Sequence, residues 1–491
     1  MTPLNIDDLT AVLPFIIALA GGVLIVVLDI FAARESKRSF LGGFALLALV
    51  GMAVYAFAGM GQEASTAFFG SIATDDFSRF LNVLFAVSGA LAVLTAMGRL
   101  PEEKMMRGEF YALLLFSVGG ASLLCQAMDL VTLFIGIETL SIPAYILAGS
   151  HRGDARSTEA GFKYFILGAF SSGILVYGIA LIYGATGGET AYHAIRMTAE
   201  GGWMQQPLLV IGMLMVIVGM LFKIGAAPFH MWAPDVYQGS PTPATSFFAT
   251  GVKAAAFAAL ARILIQAVPS MAEGPVEIFA LGWYPLVQGI ALLTMTVANL
   301  AALVQTDVKR ILAYSSIAHA GYLFLGYLSD ADGVSAMLFY LAAYTFMTSG
   351  AFAAVAYFER VGAGTTLAEY RGLGRKNPMA GAATAVFLFS LAGIPPTAGF
   401  FGKFYLFKTA VDHGLTLLVV AAVLNSAVSA YYYLRILVAM YMESPETEAP
   451  MPRPSIAVSA VVIFCAVLVV AMGLFPSPTL EAAVRSAVGL F

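Results

Sequence analysis

Fourteen apolar runs of membrane-spanning length follow one another along 491 residues, separated by short polar loops. Such a pattern leaves the chain few folds to choose from, since only helices and closed barrels satisfy their backbone polar groups inside a bilayer. The runs fall near 10–32, 38–60, 75–98, 108–126, 128–149, 157–185, 205–226, 242–268, 276–303, 309–328, 334–358, 380–410, 414–442 and 455–475. Each is close to the roughly 20 residues that a spanning helix needs. With 60% hydrophobic and 11% charged residues, the chain has too few charges to keep a soluble surface of this size wet. The fold class is therefore all-α and polytopic, with 14 transmembrane helices and no separate soluble domain. The first run reaches full spanning length without a small-residue cleavage site, so no cleavable signal peptide is expected.

Several function classes fall away on composition and spacing. A net charge of −4 offers no basic field for nucleic acid. Cys125 and Cys465 sit singly inside apolar runs, as buried structural thiols do, and form neither a zinc nor an iron–sulfur ligand set. The five histidines lack metal-ligand spacing, and neither a dinucleotide-binding glycine pattern nor a Walker loop occurs. No metal and no cofactor site is expected in this chain.

The distribution of Lys and Arg orients the helices. Loops after odd-numbered helices hold 15 of the 25, from Arg34, Lys37 and Arg38 through Lys104, Arg107, Lys309 and Arg310 to Arg453. The opposite side holds only Arg79, Arg196 and Arg485. By the positive-inside rule, the basic loops face the cytoplasm and both termini the periplasm.

Seven cations remain within the spans, and a mid-membrane cation costs about 2.5–3.5 kcal/mol on insertion scales. Arg262, Lys408 and Arg435 lie nearer helix ends, where they can snorkel, and read as structural. Lys163, with Asp29, Asp129 and Asp307, is assigned to packing or interfaces. Lys223, Lys253 and Lys403 have no such escape, and Glu138 lies at similar depth. Ionisable residues there face a bundle interior and mark an ion or proton path.

Two of these lysines accompany breaks. Helix 7 carries Lys223, Gly225, Pro228 and Pro234 in LFKIGAAPFHMWAPD, and helix 12 carries Pro395, Pro396, Gly399, Gly402 and Lys403 in LAGIPPTAGFFGKFYLF. Proline removes a backbone donor and clashes with the turn before it, so both helices break inside the membrane. Paired breaks in corresponding positions point to inverted repeats with a transport site between them. The chain accordingly divides into 1–107 (helices 1–3), 108–268 (helices 4–8), 276–442 (helices 9–13) and 443–491 (helix 14 and a tail). Helices 4–8 and 9–13 form two five-helix units, inverted because five is odd, with Ala144-Tyr145 matching Gly321-Tyr322. His319 lies mid-helix in AYSSIAHAGY between the lysine sites, as either a core histidine or a proton relay.

The stretches DLVTLFIGIETLSIPAYILAG, FKIGAAPFHMWAPDVYQGSPTPATSFFATGVKAAAF, DVKRILAYSSIAHAGYL and LAGIPPTAGFFGKFYLF resemble the antiporter-like proton-pumping subunits of respiratory NADH–quinone oxidoreductase (complex I). Within that family the run DVYQGSPTPATSFFATGVKAAAF resembles subunit N. An M-type chain carries glutamate where Lys403 stands, and an L-type chain continues into a long amphipathic helix after helix 14. The resemblance implies a glutamate–lysine pair, Glu138 and Lys223, at the inlet. It further implies a central relay lysine at Lys253, extended by His319, and an outlet lysine at Lys403. FMN, iron–sulfur clusters and quinone belong, on the same resemblance, to partner subunits. Lipid and the other membrane-arm subunits, of M and K type, are the expected neighbours, and a bacterial inner membrane the expected location. Two other readings stay open: a subunit of a multisubunit sodium/proton antiporter, and a structural spacer without a channel of its own.

Overall fold

The computed structural model describes residues 6–32, 39–99, 108–273, 282–444 and 455–491. Arg34, Lys37, Arg38, Lys104, Arg107 and Arg453, and the predicted start of helix 9 at 276, lie outside them. The helices follow the predicted order: α1 (Leu13–Phe31), α2 (Ser39–Ala58), α3 (Asp76–Arg99), α4 (Gly108–Gln126), α5 (Leu130–Ala148) and α6 (Ala155–Ala185). Then come α7a (Pro207–Ile224), α7b (Trp232–Gly239), α8 (Thr242–Ala267), α9 (Trp283–Leu303), α10 (Val308–Leu328) and α11 (Asp330–Arg360). The last are α12a (Pro378–Ala392), α12b (Ala398–Asp412), α13 (Thr416–Met442) and α14 (Ile456–Leu474). Among the described residues, 13 helices are long and apolar enough to cross a membrane. The helix predicted over 380–410 is the exception, because its break leaves α12a only 15 residues.

Two features depart from expectation. The loop before α3 holds a small antiparallel hairpin, β1 (Ser65–Ala67) against β2 (Ile72–Thr74), with Ala67 opposite Ile72. The tail after α14 is itself a helix, α15 (Ser477–Val488), packed on α3 and α11.

Local chemistry explains where the helices start and stop. Asp129 caps α5 by accepting from the amides of Val131 and Thr132, and Asp307 caps α10 by accepting from that of Arg310. The two caps share further detail. Thr190 Oγ1 donates to Asp129 at 2.6 Å and Thr365 Oγ1 to Asp307 at 2.5 Å, and each aspartate forms an antiparallel bridge to the threonine's loop. The two breaks are also built alike. Gly225 ends α7a at φ +76° and Gly393 ends α12a at φ +89°, conformations that glycine adopts without steric cost. In both, the next amide reaches back five residues in a Schellman bond: Ala226 to Leu221 O and Ile394 to Phe389 O, each 2.9 Å. Pro228 and Pro395-Pro396 then prevent the helix from resuming at once.

Packing places the polar axis. α8, α10 and α11 are buried almost throughout, whereas α1, α2, α6 and α13 turn apolar side chains such as Phe57, Phe170 and Leu424 outward. An apolar exterior around a buried polar interior is what a bilayer solvent selects.

Candidate functional site: a buried lysine–tyrosine axis

Lys223 occupies the last turn of α7a, where the aligned peptide dipoles make the helix end negative, and is 4% exposed. Its Nζ donates to Ser141 Oγ at 2.9 Å and to the Tyr145 hydroxyl at 2.8 Å. Glu138, Ser141 and Tyr145 stand at i, i+3 and i+7 on one face of α5. The direct Glu138–Lys223 ion pair expected from the resemblance is not formed: among the described residues no ion pair within 4 Å joins them. Glu138, half-buried, turns instead to α6 and accepts from Ser172 Oγ at 2.5 Å. Glu138 thus stands one helical turn from Ser141 and two from Tyr145, the residues whose hydroxyls hold the ammonium.

Lys253 is 2% exposed and follows a π-helical turn, Phe248–Val252, inside α8. Such turns often mark functional positions. Its Nζ donates to both the carbonyl and the hydroxyl oxygen of Ser316, each at 2.5 Å. His319, one turn further along α10 and 1% exposed, bonds Tyr340 OH through Nδ1 and Tyr433 OH through Nε2, the latter at 3.2 Å. It lies within electrostatic reach of both Lys253 and Lys403.

Lys403 is 5% exposed. It belongs to α12b but reaches back across the break, donating to Leu391 O at 3.0 Å, Ala392 O at 3.1 Å and Ser426 Oγ at 2.8 Å. The first two are carbonyls freed at the end of α12a. Both break lysines therefore serve the negative end of the first half-helix, Lys223 from inside it and Lys403 from beyond it. Between His319 and Lys403 runs a chain of hydroxyls and amides. Tyr433 neighbours Tyr432, whose hydroxyl donates to Asn299 Oδ1 at 2.9 Å, and Asn299 Nδ2 donates to Tyr322 OH at 3.2 Å. The Tyr322 ring lies 5.1 Å from Lys403 Nζ.

The discounted cations resolve differently. Arg262 does not snorkel: it is fully buried, with both Asp75 carboxylate oxygens at 2.8 Å and Cys125 O at 2.6 Å. Lys408 stays exposed beside Asp412, and Arg435 donates to Leu303 O at the end of α9 and to Gln305 O just beyond it. Lys163 joins Arg310 on the Asp235 carboxylate at the α7b level, each at 2.6 Å. Sequence reasoning missed Lys309, counted as a loop cation yet 4% exposed, and the tyrosines at 340, 432 and 433. Tyr432 and Tyr433 carried a signal in the run YYY at 431–433. Cys125 and Cys465 are free and buried, and among the described residues no group of three His, Cys, Asp or Glu is poised to hold a metal.

Residues 127–429 match the family described as NADH:quinone oxidoreductase/Mrp antiporter, TM. Subunit N of NADH-quinone oxidoreductase from Trichlorobacter lovleyi is 43% identical over 96% of both chains. Subunit N 1 from Sorangium cellulosum is 46% identical over 97% of this chain and 98% of its own. Among solved structures, a chain of respiratory complex I from Thermus thermophilus with bound aureothin aligns at TM-score 0.77 and 34% identity, covering 95% of this chain and 98% of that one. A chain of the Mrp complex from Dietzia sp. aligns at TM-score 0.85 and 21% identity over 99% and 98%, a likeness of fold alone. On its sequence, its fold and its paired helix breaks, the chain belongs to the NADH-quinone oxidoreductase subunit N family.

Proposed function

We propose that this chain, as a membrane-arm subunit of an NADH:quinone oxidoreductase, carries protons across the membrane along Glu138, Lys223, Lys253, His319 and Lys403. The observation that supports this best is the series of exchangeable groups set between Lys253 and Lys403: Ser316 on Lys253, His319 one turn on, then Tyr433, Tyr432, Asn299 and Tyr322, whose ring lies 5.1 Å from Lys403 Nζ. Burial disfavours a charged group, whereas an opposite charge or hydrogen bonds restore it. Movement of Glu138 between Ser172 and the Ser141–Lys223 contact therefore changes how firmly Lys223 holds its proton. When Glu138 withdraws, as in this structure, Lys223 passes its proton toward Lys253, and the return of Glu138 resets the site. Lys403 receives the proton where the freed carbonyls of α12a hold its ammonium, then releases it on the far side.

The driving reaction is quinone reduction in neighbouring subunits, which carry the FMN and iron–sulfur clusters; this chain supplies the proton-handling side chains. Subunits of M and K type are its neighbours in the membrane arm. The excess of basic residues in the loops after odd-numbered helices supports a cytoplasmic position for those loops and a periplasmic one for both termini, in a bacterial inner membrane. The two five-helix units are related by inversion, a reading supported by the matching aspartate caps and matching breaks.

Deletion of the gene tests the assignment. Membranes from the deleted strain should lose NADH-driven quinone reduction and proton uptake together, and the wild-type gene should restore both. Normal NADH oxidation with new sensitivity to sodium or alkaline pH would favour the antiporter instead.

A further inference from the structure

A polar cavity of about 400 Å³ opens on the side of the basic loops, lined by Arg99, His151, Thr242, Lys309, Glu359 and Glu369 among others. At its base the buried Lys309 Nζ donates to Ser240 O at 2.6 Å. On its wall Glu359 accepts from Thr242 Oγ1 at 2.8 Å and faces Arg99 Nε at 3.5 Å. Lys309 and Ser316, the partner of Lys253, are seven residues apart on one face of α10, about 10 Å along its axis.

The other wall of this interval is α11, where Glu359, Phe352, Thr348 and Tyr344 follow one another along the helix. Among the described residues no hydrogen bond of ordinary geometry reaches the buried Tyr344 OH or Thr348 Oγ1, although the two hydroxyls lie close to each other and Tyr344 OH lies close to Ser316. The Tyr344 ring lies 6.0 Å from Lys253 Nζ. Buried polar groups without a protein partner hold ordered water when the pocket is polar on several sides. At the level of Phe352 in this interval, the Tyr237 ring meets it edge-on, 6.3 Å between centroids.

We propose that the Lys309–Glu359 cavity is a second proton inlet, feeding Lys253 directly through water held by Tyr344, Thr348 and Ser316, without passage through Lys223. Glu359 takes a proton from water in the cavity. Lys309 passes one of its own inward to the pocket water, which protonates Lys253, and is recharged from Glu359. No bond other than these N–H and O–H bonds is made or broken. The inference rests on the proton-carrying reading above and adds an inlet to it.

The test uses the whole complex in liposomes, reading protons taken up per NADH oxidised in Lys309→Met, Lys309→Arg and Lys253→Met. Arginine keeps the bond to Ser240 O but does not give up a proton at neutral pH. Both Lys309 variants should lose at least half of what Lys253→Met loses, while still oxidising NADH. A full ratio in Lys309→Met, or rescue by Lys309→Arg, overturns the inlet and leaves Lys309 a packing residue. Where Lys309→Met does not assemble, labelling of a Thr348→Cys variant with a small cationic thiosulfonate from the basic-loop side decides: reaction supports the inlet, and no reaction overturns it. Lys223→Ala separates the two readings. Full pumping there with loss in Lys309→Met keeps this inlet and removes the Lys223 assignment, whereas full pumping in Lys253→Met removes both.

Discussion

The Tyr145 hydroxyl stands 2.8 Å from Lys223 Nζ, and the centroid of its ring 5.2 Å from the same ammonium. The tyrosine is held there by a glycine: a Cβ on Gly168 of α6 would come within 2.2 Å of the hydroxyl oxygen. Through this contact α6, which also supplies Ser172 to Glu138, sets the position of the lysine on α7a.

Gly168→Ala should therefore act as a Lys223 variant without touching it. Overpacking of this kind costs about 1–3 kcal/mol, and the ring can relieve it only by leaving the ammonium. Proton uptake per NADH should fall, while Tyr145→Phe, which removes only a bond to a charged group worth about 1.5–3 kcal/mol, should fall less. Parallel proton-uptake traces from the two variants check the order; unchanged pumping in Gly168→Ala would show that Tyr145 does not position Lys223.

The Arg262–Asp75 pair predicts a different outcome. Removing one partner of a buried ion pair costs about 3–5 kcal/mol, because the other charge is left stranded. Arg262→Met and Asp75→Asn should each lower the thermal unfolding temperature and the yield of assembled complex, and the double change should recover much of both. Additive losses in the double variant would contradict an ion pair.

If the two five-helix units are equivalent, their caps should be too. Asp129→Ala and Asp307→Ala should each cost about 0.5–2 kcal/mol and destabilise the assembled subunit to similar degrees, read as thermal shifts. A loss confined to one of them would argue against equivalence.

Much of this was legible in the sequence because a charge in an apolar run announces itself. Lys253 and Lys403 needed only their positions in the runs, and the breaks only their glycines and prolines. What escaped depends on relations the chain order does not display. Asp75 and Arg262 are 187 residues apart, so nothing local marks Arg262 as buried rather than snorkelling. Lys309 sits in DVKR at a helix start, where it reads as a loop cation until Ser240 closes over it. Glu138 and Lys223 are complementary in sequence, yet Ser172 competes for the carboxylate, and no spacing rule weighs a hydroxyl on α6 against an ammonium on α7a.

The most direct test of the central claim is proton uptake per NADH oxidised by the assembled complex carrying Lys223→Ala, beside Glu138→Ala. Both should oxidise NADH through an assembled complex while proton uptake drops, with the larger loss in Lys223→Ala. Full pumping in both variants would contradict the account.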